Sequence, residues 1–146
     1  MISNGETKSN EGESTSNIIS ILKTVTEMQV KAKLPIFKGI LHDTIPIVFN
    51  SSDATEPYFA YGITSTCQTS FRTCFFRIED LVHSIVHLSL LYPIDIEGNY
   101  TDTIRMPYGL EKTQINVIVS VQDFCSIQCI NPNLINRQSI IIGDKW

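Results

Sequence analysis

The spacing of apolar residues changes twice along the chain, and each change marks a new kind of element. Ile18, Ile21, Leu22, Val25, Met28 and Ala32 recur at steps of three and four. That period predicts an amphipathic helix over 17–32. Ser16 is suited to its N-cap, and Lys23, Glu27 and Lys31 lie on the opposite side at i, i+4 spacing. From Pro35 the period shortens to two. Ile36–Leu41 and Ile45–Asn50 read as strands around a His42-Asp43-Thr44 turn, with Pro46 confined to an edge or a strand start. Tyr58–Cys67 and Phe71–Ile78 read as a hairpin around Gln68-Thr69-Ser70.

A second helix is expected over Glu79–Leu91. There Leu81, Val82, Ile85, Val86 and Leu88 fill one arc, Glu79 and Asp80 suit the positive end of the dipole, and Pro93 supplies a stop. The cleanest alternation follows. Ile115, Val117, Val119 and Val121 interleave with Gln114, Asn116, Ile118, Ser120 and Gln122, as on a half-buried antiparallel strand. Tyr100–Met106 is its expected partner, and Phe124–Ile130 and Ser139–Ile142 are shorter strand candidates.

Strands come in runs rather than alternating with helices. The expected fold is therefore α+β, with a mainly antiparallel sheet and about two helices packed on one face. Residues 1–16 are almost wholly Ser, Asn, Glu, Gly, Thr and Lys and cannot repay their ordering entropy, so a disordered N-terminal tail is expected before a single domain over 17–146. Composition leans the same way: 22 Ile against 3 Ala favours sheet over helix.

Charge narrows the partners. The net charge is −4, and the only local basic cluster is Lys31, Lys33 and Lys38, so a duplex nucleic-acid partner is not expected. Residues 17–78 carry 6 basic and 4 acidic groups, whereas residues 79–146 carry 4 and 8. The first residues lack the apolar core of a secretory signal, and no apolar run approaches the roughly 20 residues of a membrane helix. A cytoplasmic or otherwise intracellular chain, not secreted and with reduced thiols, is the expectation.

Candidate chemistry is sparse. His83 and His87 would share one face of the expected second helix, but Ser84 stands where a zincin motif needs Glu. Cys125 and Cys129 have an allowed ligand spacing, yet on one strand their thiols would stand about 13 Å apart. A mixed Cys125, Cys129, His83 and His87 site is the sharpest metal or enzyme alternative. Against it, free Cys ordinarily packs as a small hydrophobe. Neither G-x-G-x-x-G nor G-x-x-x-x-G-K-[ST] occurs, His42-Asp43 reads as a turn, and Asp95–Asp102 lacks the order of a calcium loop. No cofactor is expected.

The remaining signal is aromatic. On an extended Phe71–Ile78 segment, Phe75 and Phe76 point to opposite faces, flanked by Arg72 and Arg77. Aromatics and Arg are enriched at interface centres. Phe71, Arg72, Phe75, Phe76 and Arg77 are thus the candidate binding residues. The expected function is a non-enzymatic protein–protein interaction module: an adaptor or assembly factor that docks on a partner or forms a homodimer. A structural component of a virus or other particle is a further alternative.

Overall fold

The computed structural model describes the backbone of residues 4–140 and side chains from residue 12 onward. Helix α1 spans Asn4–Lys31. Its buried stripe is Ile18, Leu22, Val25 and Gln29, one residue per turn, continued by Ala32 just past its end. Ile21 and Met28 stay largely exposed, so the stripe is narrower than the apolar spacing implied, and a glutamine takes part in it. No residue between Gly12 and Asn17 is buried.

Among the described residues seven strands follow: β1 (Ile47–Asn50), β2 (Ala60–Ile63), β3 (Ser70–Thr73), β4 (Phe76–Val82), β5 (Ile85–Ile94), β6 (Gly109–Ser120) and β7 (Ser126–Cys129). Five of them form a sheet in the order β6-β5-β4-β1-β7, while β2 and β3 make a separate two-stranded ribbon. Every strand pairing is antiparallel, as the α+β reading requires.

The second expected helix does not form. Glu79–Leu91 is instead the β4–β5 hairpin, turning at His83-Ser84, with Val82 opposite Ile85 and His83 at φ 56°. A two-residue hairpin loop needs such a positive φ. Cross-strand rows explain the preference: Ile78, Leu88 and Val117 stand side by side, and Leu81, Val86 and Val119 make the next row. The fold therefore has one main helix.

Other boundaries move as well. Ile36–Leu41 forms no strand; Pro35–Phe37 is a single 3-10 turn, and Ile36 and Ile40 are 73% and 71% exposed. Phe71–Ile78 divides between the ribbon and the sheet at Cys74-Phe75. Tyr100–Met106 is irregular apart from one bridge to Ile94, and β5 is the partner of β6. Ser139 and Ile140 are not in a strand; 141–142 lie outside the described residues.

The core has two parts, one on each face of the sheet. On the first face α1 and the β2–β3 ribbon cover Ile47, Phe49, Phe76, Ile78, Val86, Leu88 and Leu90. On the second, Ile130 and Leu134 cover Val48, Phe75, Leu91 and Leu110. That cover reaches only one end of the second face. Toward the β4–β5 turn, Val82, Ile85 and Ile118 remain 53%, 41% and 59% exposed.

Candidate interaction surface

The three phenylalanines of the expected binding strand are inside the molecule. Phe71, Phe75 and Phe76 are 4%, 1% and 0% exposed. Phe75 and Phe76 do point to opposite faces of the sheet, and both faces are covered at this position. The segment carrying Ile130 and Leu134 supplies cover on the other face. Phe71 meets Tyr92 edge-on at 4.9 Å between centroids, and Phe76 packs on Tyr58 at 5.5 Å.

Both arginines are engaged within the chain. The Arg72 guanidinium lies 4.1 Å over the Phe59 ring and its Nε donates to Asp102 at 2.7 Å. Arg77 is more enclosed. It donates from Nε to the Thr44 hydroxyl at 2.9 Å, from Nη2 to the Asp43 carbonyl at 2.9 Å and from Nη1 to Glu79 at 2.7 Å. Ser89 donates to the other oxygen of Glu79 at 2.7 Å, and Lys112 pairs with Asp43 at 3.2 Å. Partial burial works to raise the Asp43 pKa, but the Lys112 ammonium, the Thr44 hydroxyl and Arg77 outweigh it and hold the carboxyl below its ordinary value. This network ties the loop before β1 to the second face of the sheet. Arg77 is therefore a brace rather than a free contact.

The mixed metal site is not assembled. His83 sits in the β4–β5 turn, and His87 stands on β5 opposite Asp80 and Ile118. Cys125 and Cys129 flank and end β7, at the far edge of the sheet. Among the described residues no group of three or more His, Cys, Asp or Glu is close enough to share a metal ion. Cys67, Cys125 and Cys129 are exposed and Cys74 is buried. Burial pushes the Cys74 thiol up to about 11 and also raises that of Cys129.

What the surface does present is apolar. Met28, Val30, Leu34, Ile36 and Ile40 are exposed around the end of α1, beside Lys31, Lys33 and Lys38. A second apolar area runs over Val82, Ile85 and Ile118. It abuts β6, one of the two outer strands of the sheet. Sequence reasoning identified β6 as a strand but not its place at an edge, because the order of strands leaves no mark in the alternation.

These features define a small α+β protein with an antiparallel sheet, in which β6 and β7 are the outer strands among the described residues, and with exposed apolar areas. No protein-family profile and no solved structure matches the chain. Spore coat protein Z of Bacillus subtilis (strain 168) is 36% identical over 104 residues, covering 66% of this chain and 70% of that protein. The chain belongs to the spore coat protein Z family. No helix among the described residues is long and apolar enough to cross a membrane.

Proposed function

We propose that this chain is a structural building block of a spore coat, held there by contacts with other protein chains and with no catalytic role. The likeness to spore coat protein Z carries the reading. The exposed apolar side chains support it, since exposed apolar patches commonly mark interaction sites. Of the alternatives raised by the sequence, a particle component agrees best with this family. An adaptor that only recruits other chains is the finer variant, separated by whether the protein persists in the finished layer.

On this reading the chain sits in a spore coat rather than free in the cytoplasm. The test is fractionation of spores from a host expressing an epitope-tagged copy. The tagged chain should be recovered in the coat extract, in amounts comparable to other coat components. Recovery only from the decoated core, or from the vegetative cytoplasm, would overturn the reading.

A further inference from the structure

We infer that the edge strand β6 is a self-pairing surface, on which Asn116–Ser120 of one copy binds the same five residues of a second copy antiparallel about a two-fold axis. The inference rests on the coat reading for its setting and adds the partner and the contact.

Three observations carry it. First, the edge is open. Among the described residues, hydrogen bonds and bridges from other segments to the outer side of β6 are confined to Leu110, which accepts from the Asn136 N–H at 2.8 Å and bridges to Ile135. Further along, the Ile115 N–H donates to the Thr113 hydroxyl at 3.2 Å and the Gln114 carbonyl accepts from Asn116 Nδ2 at 3.3 Å. The register shift opposite Ser89 and Leu91 disturbs β6 around these residues, whereas Asn116–Ser120 is regular.

Second, the edge is unprotected. Natural edge strands are blunted by charge, Pro or cover. Thr113–Ser120 has no charged residue and no Pro. Its apolar groups are unfinished on both faces: Val117 and Val119 are half-buried on the helix side and Ile118 is 59% exposed on the other.

Third, the segment complements itself. Its order is Asn-Val-Ile-Val-Ser. Antiparallel pairing centred on Ile118 sets Ile118 against Ile118, Val117 against Val119 and Asn116 against Ser120. Valines then meet on the helix face, and the two isoleucines, flanked by polar pairs, meet on the open face. No like charges oppose one another. The other sheet edge, β7, is a shorter strand of four residues and has no such symmetry about its centre. A two-fold contact of this kind is isologous and closed. It joins two five-stranded sheets into one of ten and leaves both copies of β7 free for other contacts.

The experiment uses the full chain with Ile118→Lys and Ile118→Glu, each putting like charges at the two-fold centre. Solution mass is read by analytical ultracentrifugation and fold by circular dichroism. The wild-type chain should pair, and dilution should speed hydrogen exchange at amides 116, 118 and 120, which point away from β5. Each variant alone should keep the wild-type spectrum and bind itself at least roughly tenfold more weakly, since like charges directly opposite are unfavourable. Mixing the two variants one to one should restore pairing. The double variant Asn116→Lys/Ser120→Lys, which sets lysine against lysine at both polar pairs, gives the same loss if Ile118 variants fail to fold. Unchanged association of the folded variants, no rescue on mixing, or a monomeric wild type would overturn the inference. Spore fractionation answers separately: a monomeric chain found in the coat sinks the pairing and spares the coat reading, and a pairing chain absent from the coat does the reverse.

Discussion

The side chain of Gln29, near the end of α1, donates its Nε2 to the backbone carbonyl of Ile78 on β4 at 3.0 Å. Its Oε1 meanwhile accepts the Ile45 N–H at 3.0 Å, just ahead of β1. One buried amide thus satisfies two backbone groups from different segments and sets how the helix lies on the sheet. Gln29 itself is 3% exposed.

Replacing it should be costly despite the polar character of the residue. Gln29→Leu keeps similar bulk but strips partners from two buried backbone groups, each worth roughly 1–3 kcal/mol when left unmade. We expect urea denaturation to show a loss of about 2–5 kcal/mol. Lys23→Ala, on the exposed side of the same helix, should change stability by no more than about 0.5 kcal/mol. Equal effects of the two substitutions would show that Gln29 does not anchor the helix.

Phe75→Glu and Phe76→Glu should both abolish the folded circular dichroism spectrum. Each side chain is essentially fully buried, on opposite faces of the sheet, and a carboxylate there has no partner. Phe75→Leu and Phe76→Leu should fold with losses of a few kcal/mol, in the range of core truncations. A folded Phe75→Glu chain with altered partner binding would return this residue to the surface.

How far the sequence reveals the fold depends on how each element is covered. β6 is legible because one side of it is packed and the other wet, so Ile115, Val117 and Val119 alternate cleanly with Gln114 and Asn116. β4 and β5 are not. Leu81, Val82, Ile85, Val86 and Leu88 fit a helical arc as well as a strand, the shift between Ile78 and Asp80 breaks the alternation, and Leu90 and Leu91 are both buried because both faces are covered there. The His83-Ser84 turn lacks the Gly or Asn that ordinarily marks a two-residue loop. The burial of Phe75 is illegible for a related reason. Whether Phe75 meets water depends on Ile130 and Leu134, more than fifty residues downstream, and no local pattern reports that contact.

Removing residues 1–15 should leave the melting temperature almost unchanged. None of residues 12–17 is buried, and the first core residue of α1 is Ile18. Ser16 would then stand at the start of the shortened helix, in a position suited to capping it. The expected difference by differential scanning calorimetry is within about 0.5 kcal/mol, as for ordinary surface changes. A drop of several degrees would show that the segment read as a tail contributes to the packed structure.

The four thiols should separate by reactivity and by their effect on alkaline stability. In the native chain at pH 8, iodoacetamide should label the exposed Cys67 and Cys125 first. Cys129 should follow more slowly because burial raises its pKa, and Cys74 should react only on unfolding. Mass spectrometry of tryptic peptides gives the order. Desolvation is the main cause of the Cys74 shift from 9.0 to about 11. The folded state therefore holds this proton more tightly than the unfolded state. That contribution to stability is fully present below pH 9 and is lost as pH rises toward 11. At about 1.4 kcal/mol per unit the loss amounts to roughly 2–3 kcal/mol. Tyr58 and Tyr92, whose pKa values burial also raises, act in the same direction from pH 10 upward, so the measurement compares wild type with Cys74→Ala. The variant should start less stable and show a shallower decline between pH 9 and 11. Parallel curves for the two chains would mean that the Cys74 thiol ionises as freely in the folded protein as in the unfolded one.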